Sequence, residues 1–378
     1  MLHYPTIESF SIFPLILSEE GWKDARDIQK GENVYTLNPN TKEIEIQQVQ
    51  EKQEITHNGY VFRIKGRNIN TILNPDQKFL VLHRYDKQDF LTIEEIYNDR
   101  TKYSHSHIPK SGLWNVKSPE FYTLKGLKNV PKKGNYLIDP EIDTDIDYKT
   151  FAQFLGIWLA EGWTDKGNDS GVFICQKKED VKNQIREMLL RFPKEMEWRE
   201  RSEDMDKTTF YLKDFRLCKL LRENFGTICY NKRIPKEFKN LSSNLLNEMV
   251  YWYNLGDGRF SKITQNCGTY CKRDIFSTSK QLMLDFNEVL LKSGGCGNMH
   301  MHIPKKDFLI KGRVIKAENC APLYFLSIAT TKNIHLDKRF LQIEKIETQS
   351  NTITQIKVPN KTLYTMQNEK AFWSGSIN

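Results

Sequence analysis

Glu161 and Asp257 close two stretches built alike. The first reads Leu155-Gly156-Ile157-Trp158-Leu159-Ala160-Glu161-Gly162 and the second Tyr251-Trp252-Tyr253-Asn254-Leu255-Gly256-Asp257-Gly258. Each is an apolar run of helical character with small residues near its end, followed by one carboxylate and a glycine. A lone acid at the end of a buried helix is costly unless positive charge meets it. Two such acids on two copies of one unit suggest a pair that holds a divalent metal at a twofold-like axis. The small residues Gly156, Ala160 and Gly256 let two helix backbones approach closely. The acid one residue beyond projects from the base of that contact. Carboxylate oxygens there suit Mg2+, and such an ion activates water and stabilises the leaving oxygen in phosphodiester hydrolysis. One motif alone reads as an ordinary helix end before a glycine; a matched pair argues for a site.

Lysines follow each acid at similar offsets: Lys232 in Asn231-Lys232-Arg233-Ile234-Pro235, and Lys332 in Thr331-Lys332-Asn333, with Lys338 as a competitor for the second place. A lysine near each scissile phosphate polarises it or orders water. Cys267, Cys271, Cys296, His300 and His302 have too loose a spacing for a structural zinc site and read as buried thiols and surface histidines. His105 and His107 carry no stronger signal.

The elements that must position these residues follow from periodicity. The first 145 or so residues are β-rich, with short β-type runs such as Val34–Leu37 and Tyr60–Ile64 separated by turn residues. From about Asp147 the period changes. Tyr148–Ala160 and Glu179–Arg191 read as helices around a Gly171–Gln176 strand. The order then recurs: after the Asp257 motif come a strand over Asp274–Ser279 and a helix over Gln281–Leu291. This is an internal duplication of about 95 residues. β-character returns after about Leu336. A mixed module inserted into a β-domain explains the layout.

Composition sets the bounds. The chain has 378 residues, 39% of them hydrophobic, which excludes wholesale disorder. It has no apolar run long enough to span a membrane and no signal-peptide pattern, so an intracellular, cytoplasmic protein is expected. Its seven cysteines are too scattered for a disulfide framework. The net charge of +8 permits a polyanionic partner and becomes informative only beside a metal site.

The middle of the chain, about residues 147–335, resembles the LAGLIDADG homing endonucleases. Leu155 to Gly162 is close to the family motif, and Leu255-Gly256-Asp257-Gly258 keeps its acidic end. Lys232-Arg233-Ile234-Pro235 resembles a recurrent Lys-x-Ile-Pro segment, and Phe276-Ser277-Thr278-Ser279-Lys280 a recurrent strand. The resemblance implies an α+β fold of two αββαββα halves, about 147–243 and 244–335. It also implies double-stranded DNA laid across curved sheets and cut on both strands in the presence of Mg2+, with Mn2+ as an alternative. Glu161 and Asp257 would be metal-binding catalytic acids and Lys232 a catalytic basic residue; the matching offset makes Lys332 its second-half counterpart. Trp252 stands where the first motif has Gly156, so looser packing of the second helix is expected there. A monomer with pseudo-twofold symmetry follows.

The flanks, 1–146 and 336–378, resemble the all-β Hint domain of inteins. Gly21-Trp22-Lys23 through Val34-Tyr35-Thr36 is similar to its first block, and Val358–Tyr364 with Trp373-Ser374-Gly375 to its last two. Splicing needs a nucleophile, a Thr/His pair and a cyclising Asn. The nucleophile position falls on Ser9. The Thr-x-x-His block corresponds to Asn74-Pro75-Asp76-Gln77, and glutamine cannot shuttle a proton as imidazole does. The terminal Gly-Asn pair reads Gly375-Ser376, with Asn378 as a substitute cyclising residue after Ile377. The reading is an intein-derived DNA endonuclease whose Hint part no longer splices. The alternatives are a splicing-competent intein starting at Ser9, and a non-catalytic DNA- or RNA-binding module.

Overall fold

The computed structural model describes residues 13–128, 139–165, 171–203, 206–265, 268–310, 312–329 and 331–376. The chain is mixed α and β and divides into two compact units. The first comprises residues 1–115, 294–298 and 329–378; the second comprises 116–293 and 299–328.

The first unit is built from β-strands supplied by both ends of the chain. Strand Glu51–Gly66 pairs antiparallel with Leu341–Lys357 along its whole length, with a register shift between Thr348 and Asn351. Leu15–Ser18 lies between Gly21–Asp24 and the hairpin strand Thr362–Gln367, which folds back on Lys370–Gly375. Thr362 fixes this junction: its Oγ1 accepts the Leu37 N–H and donates to the Leu37 carbonyl, both at 2.8 Å. Ile16, Ile28, Val34, Ile356, Val358 and Leu363 share one buried cluster, so distant sequence segments form a single core. One element departs from the all-β expectation. Ile93–Asn98 is a short helix, started by a capping box in which Thr92 accepts the Glu95 N–H and Glu95 reaches back to Thr92.

The second unit contains two similar halves. In the first, helix α1 (Tyr148–Glu161) is followed by strands β1 (Gly162–Thr164) and β2 (Gly171–Gln176). Helix α2 (Glu179–Leu189), strands β3 (Arg199–Glu203) and β4 (Lys207–Lys213) and the short helix α3 (Phe215–Leu220) complete it. In the second, α4 (Ser243–Asp257) leads to β5 (Gly258–Gln265), β6 (Gly268–Ser277) and α5 (Lys280–Lys292). Strand β7 (Gly297–His302), whose last four residues belong to this unit, and β8 (Leu323–Ile328) follow. The spatial strand orders are β1-β2-β4-β3 and β5-β6-β8-β7. The same permutation in both halves is the structural form of the duplication. No helix corresponding to α3 follows β8 among the described residues.

The unit begins earlier than the change of period near Asp147 implies. Strand Phe121–Leu124 pairs with Thr144–Asp147, and Tyr122 stacks on Phe151 of α1 at 4.3 Å between ring centroids. This ribbon looks β-like in sequence, yet it packs on the helical module.

Helix α1 starts at Asp147, whose carboxylate accepts the Thr150 N–H at 3.2 Å. From Thr150 to Leu159 every residue is buried, so this is a central helix, apolar all round, rather than a surface one. It packs along α4. A Cβ on Gly156 would come within 2.4 Å of the Met249 carbonyl oxygen and 2.8 Å of Trp252 Cβ. A Cβ on Gly256 would come within 2.6 Å of Ala160 Cβ. The expectation of looser packing at Trp252 is therefore corrected. The Cβ that Trp252 brings to this contact is accommodated by the missing one of Gly156 opposite it. At the next contact the roles exchange, with Gly256 receiving Ala160. Each close approach needs only one glycine.

Candidate active site

Both acids sit at the C-terminal end of a helix, α1 for Glu161 and α4 for Asp257. The close packing of these helices brings the ends together. The position a Cβ would take on Gly256 is 2.8 Å from Glu161 Cγ and 3.4 Å from Glu161 Oε1. The Glu161 side chain thus lies against the backbone that enters Asp257.

Helix C-termini carry partial negative charge, so two carboxylates and two helix ends concentrate negative potential at one place. Burial pushes the Glu161 carboxyl above its usual range, with Lys178, Lys232 and Gln176 opposing the rise. Burial and then the Glu161 charge push Asp257 up to about 6. Asp257 keeps an exposed edge, and the atoms crowding its other side raise its pKa. Such a pair favours bound cations.

Lys232 is buried, and its Nζ donates to the carbonyls of Trp158 at 3.0 Å, Leu159 at 2.8 Å and Gly162 at 2.8 Å. It therefore caps the last turn of α1 with all three ammonium protons. Desolvation lowers its pKa to about 8, against the pull of Asp257, Cys229 and Glu161. The sequence reading assigned Lys232 a phosphate; the geometry assigns its donors to the helix that carries Glu161, where it offsets the charge of both acids. The segment is clamped from α5: Ser279 Oγ donates to the Lys232 carbonyl at 2.6 Å, and Asp285 accepts the Ile234 N–H at 2.8 Å.

Sequence reasoning missed Lys178 and Gln176. Lys178 is exposed, its Nζ donates to the Leu255 carbonyl near the end of α4 at 2.9 Å, and it acts on both acids. Gln176 is buried; its Oε1 accepts the N–H groups of Lys177 at 2.8 Å and Lys178 at 3.0 Å. That fixes the amide orientation and leaves the Nε2 donor, which has no well-formed hydrogen bond, on the side of the Glu161 carboxyl, whose ionised form it favours. The pairing Gly162↔Ile174 sets Gln176 level with the end of α1. The signal was the run Gln176-Lys177-Lys178 closing a buried strand. At the equivalent places after β6, where Gly258 pairs with Ile275, stand Ser277 and Ser279. The lysines that act on both acids thus come from the first half.

Lys332 does not join this group. It belongs to the first unit, where its carbonyl accepts the Lys110 N–H at 2.8 Å, and the lysines acting on Asp257 are Lys232 and Lys178. Lys338 lies in that unit too. Among the described residues no group of three or more His, Cys, Asp or Glu is placed to hold a metal; Cys267 lies outside them. The two carboxylates are hard oxygen donors, and a pair leaves coordination positions for waters and phosphate oxygens, as Mg2+ prefers.

The flank positions gather in the first unit around a cavity of about 300 Å³, lined among others by Asn74, Gln77, Gly375 and Ser376. Gln77 Nε2 donates to the Gly375 carbonyl at 2.6 Å. The Ser376 N–H donates to Lys361 at 2.9 Å. Asn74 is buried. Ser9 and Asn378 lie outside the described residues.

No protein-family model matches the chain, and no curated protein matches it. Solved structures with partial likeness include the homing endonuclease I-DmoI in complex with DNA and Mn, at 13% identity, covering 48% of this chain and 90% of that one, with a TM-score of 0.31. A second is the homing endonuclease I-WcaI bound to its DNA recognition sequence, at 10% identity, covering 53% of this chain and 85% of that one, again at 0.31. A TM-score of 0.31 does not establish a shared fold.

Proposed function

We propose that the chain is a site-specific DNA endonuclease that cuts both strands of a long asymmetric duplex with Mg2+, or Mn2+, held by Glu161 and Asp257. The observation that carries this reading is the convergence of the two acids at two tightly packed helix ends, with Lys232 and Lys178 beside them. A divalent ion at such a pair supplies an activated water and neutralises the leaving oxygen. The chain's own residues do the rest. Lys232 holds the end of α1 rigid and offsets the acids from below. Gln176, its Oε1 held by the Lys177 and Lys178 N–H groups, keeps an amide donor beside the Glu161 carboxyl. Lys178, exposed and bonded through one ammonium proton to the Leu255 carbonyl, has two more to offer a phosphate oxygen. The protein acts as a monomer of two unequal halves in the cytoplasm.

The flanking unit fits an intein remnant. Asn74, Gln77 and Ser376 line one cavity, but Gln77 occupies the proton-shuttle place and already donates to the Gly375 carbonyl. A neutral amide at that place supports loss of splicing. The splicing-competent reading would be revived by excision of residues 9–378 from a flanked precursor. Cleavage is tested by incubating the protein with a randomised duplex library and Mg2+ or Mn2+, then sequencing the ends. Recovery of one long non-palindromic site is expected; a library left intact with either ion would overturn the proposal.

A further inference from the structure

The face of the first half's sheet turned away from the helices carries a row of rings. Trp163, Phe173, Tyr211 and Arg199 are direct cross-strand partners on β1, β2, β4 and β3, so they share one face. Trp163 stacks on Phe173 at 5.2 Å and 8°, and Phe173 on Tyr211 at 6.3 Å and 26°. Phe173 and Tyr211 have sheet neighbours on both sides and are accounted for as cross-strand pairs. Trp163 is different. It lies on the edge strand of this sheet and is 38% exposed. Phe173 is the only ring it touches among the described residues, so its other indole face has no ring partner there. It also stands two residues beyond Glu161 in an extended strand, about 7 Å along the chain.

We infer that Trp163 is a base-stacking residue: its other face takes an unpaired nucleobase next to the phosphate handled at the acids. The inference rests on the nuclease reading and names a feature of its substrate. A paired duplex offers base edges in its grooves and no base face, whereas an unpaired base continues a ring stack whatever its sequence. The surroundings suit a polyanion, with Arg199 and Arg201 on β3 and Lys178 after β2 all exposed. The second half differs at the matching place. Arg259, two residues beyond Asp257, packs its guanidinium 5.5 Å over Phe276 and pairs with Asp274 at 2.8 Å. The exposed ring of the second half, Phe260, comes one residue later and carries the Arg273 guanidinium 5.8 Å over its face, so among the described residues the ring two residues beyond an acid is the first half's, and the unpaired base belongs to one strand.

The test uses the full chain in chelator, so that nothing is cut, with three labelled DNA probes of one length: a paired duplex, the same duplex with four central unpaired nucleotides, and a single strand. Wild type is expected to bind the unpaired-centre probe about tenfold tighter than the duplex. Trp163→Ala is expected to lose that preference and Trp163→Phe to keep part of it, since one stacked base contributes on the order of 1–3 kcal/mol, or roughly 5- to 150-fold. Quenching of tryptophan fluorescence by the probe should shrink in Trp163→Ala. Equal binding of paired and unpaired probes by wild type, or a preference that survives in a folded Trp163→Ala, overturns the inference. A preference for the single strand alone also overturns it, because the base would then not be tied to a duplex centre. Cleavage with Mg2+ is scored separately: loss of Trp163 dependence with cleavage intact rejects the stacking role alone, and absence of cleavage rejects the nuclease reading.

Discussion

At the residue scale, the two acids work against the fold that holds them. Asp257 is pushed up to about 6 by burial and by the neighbouring Glu161 charge, above the 3.8 expected for a free side chain. A raised folded-state pKa means that the ionised form is disfavoured in the native protein. Stability is therefore full below about pH 4 and falls as pH rises through 6. Without divalent metal, Asp257→Asn is expected to melt a few degrees above wild type at pH 7.5, with the gap closing near pH 4. Thermal melts across that range check this; an Asn variant that melts below wild type at pH 7.5 contradicts it. Both acids were legible in the sequence because each closes an apolar run that has no other use for a carboxylate. Lys232 was legible by position, but its role was not: only the fold shows three backbone carbonyls around its Nζ. Lys178 was hidden because its contact with Leu255 crosses from one half to the other.

At the element scale, the site depends on how closely α1 and α4 approach. Gly156 faces main-chain and Cβ atoms that cannot swing aside, with the Met249 carbonyl 2.4 Å from the place of a Cβ. Gly156→Ala must therefore push the helices apart. Overpacking of this kind costs about 1–3 kcal/mol, and displaced helix ends separate the acids. Cleavage is expected to fall at least tenfold with a lower melting temperature. Unchanged cleavage in Gly156→Ala would show that the site tolerates helix separation. The duplication, the strand β2 and the helix extents were readable from periodicity to within a residue or two. Complementarity was not: comparing Trp252 with Gly156 by alignment predicts looser packing, whereas in space these two residues face each other and fit. The ribbon Phe121–Leu124 with Thr144–Asp147 escaped for a related reason, since short alternating strands do not disclose which core they cover.

At the scale of the whole molecule, the two halves share a strand order but differ in chemistry. The first supplies Lys178, Gln176, Lys232 and Trp163; the second has Ser277, Ser279 and Arg259 at the places matching Gln176, Lys178 and Trp163. Unequal halves imply unequal cuts. On a supercoiled plasmid carrying the target, a nicked intermediate is expected to build up before linear product appears. Linear product forming without it would argue for equivalent half-sites. The offset from Asp257 that singled out Lys332 assumed that the duplication extends to every functional residue; Lys332 belongs to the first unit.

The central claim is that Glu161 and Asp257 together make a metal-dependent cutting centre. Its most direct test is cleavage of the selected duplex by wild type, Glu161→Gln and Asp257→Asn across a Mg2+ titration, with binding measured on the same samples. Wild type is expected to cut both strands only when metal is present, while each variant binds the duplex and leaves it whole. Cutting by wild type in chelator, or by either variant at a rate near wild type, would contradict the account.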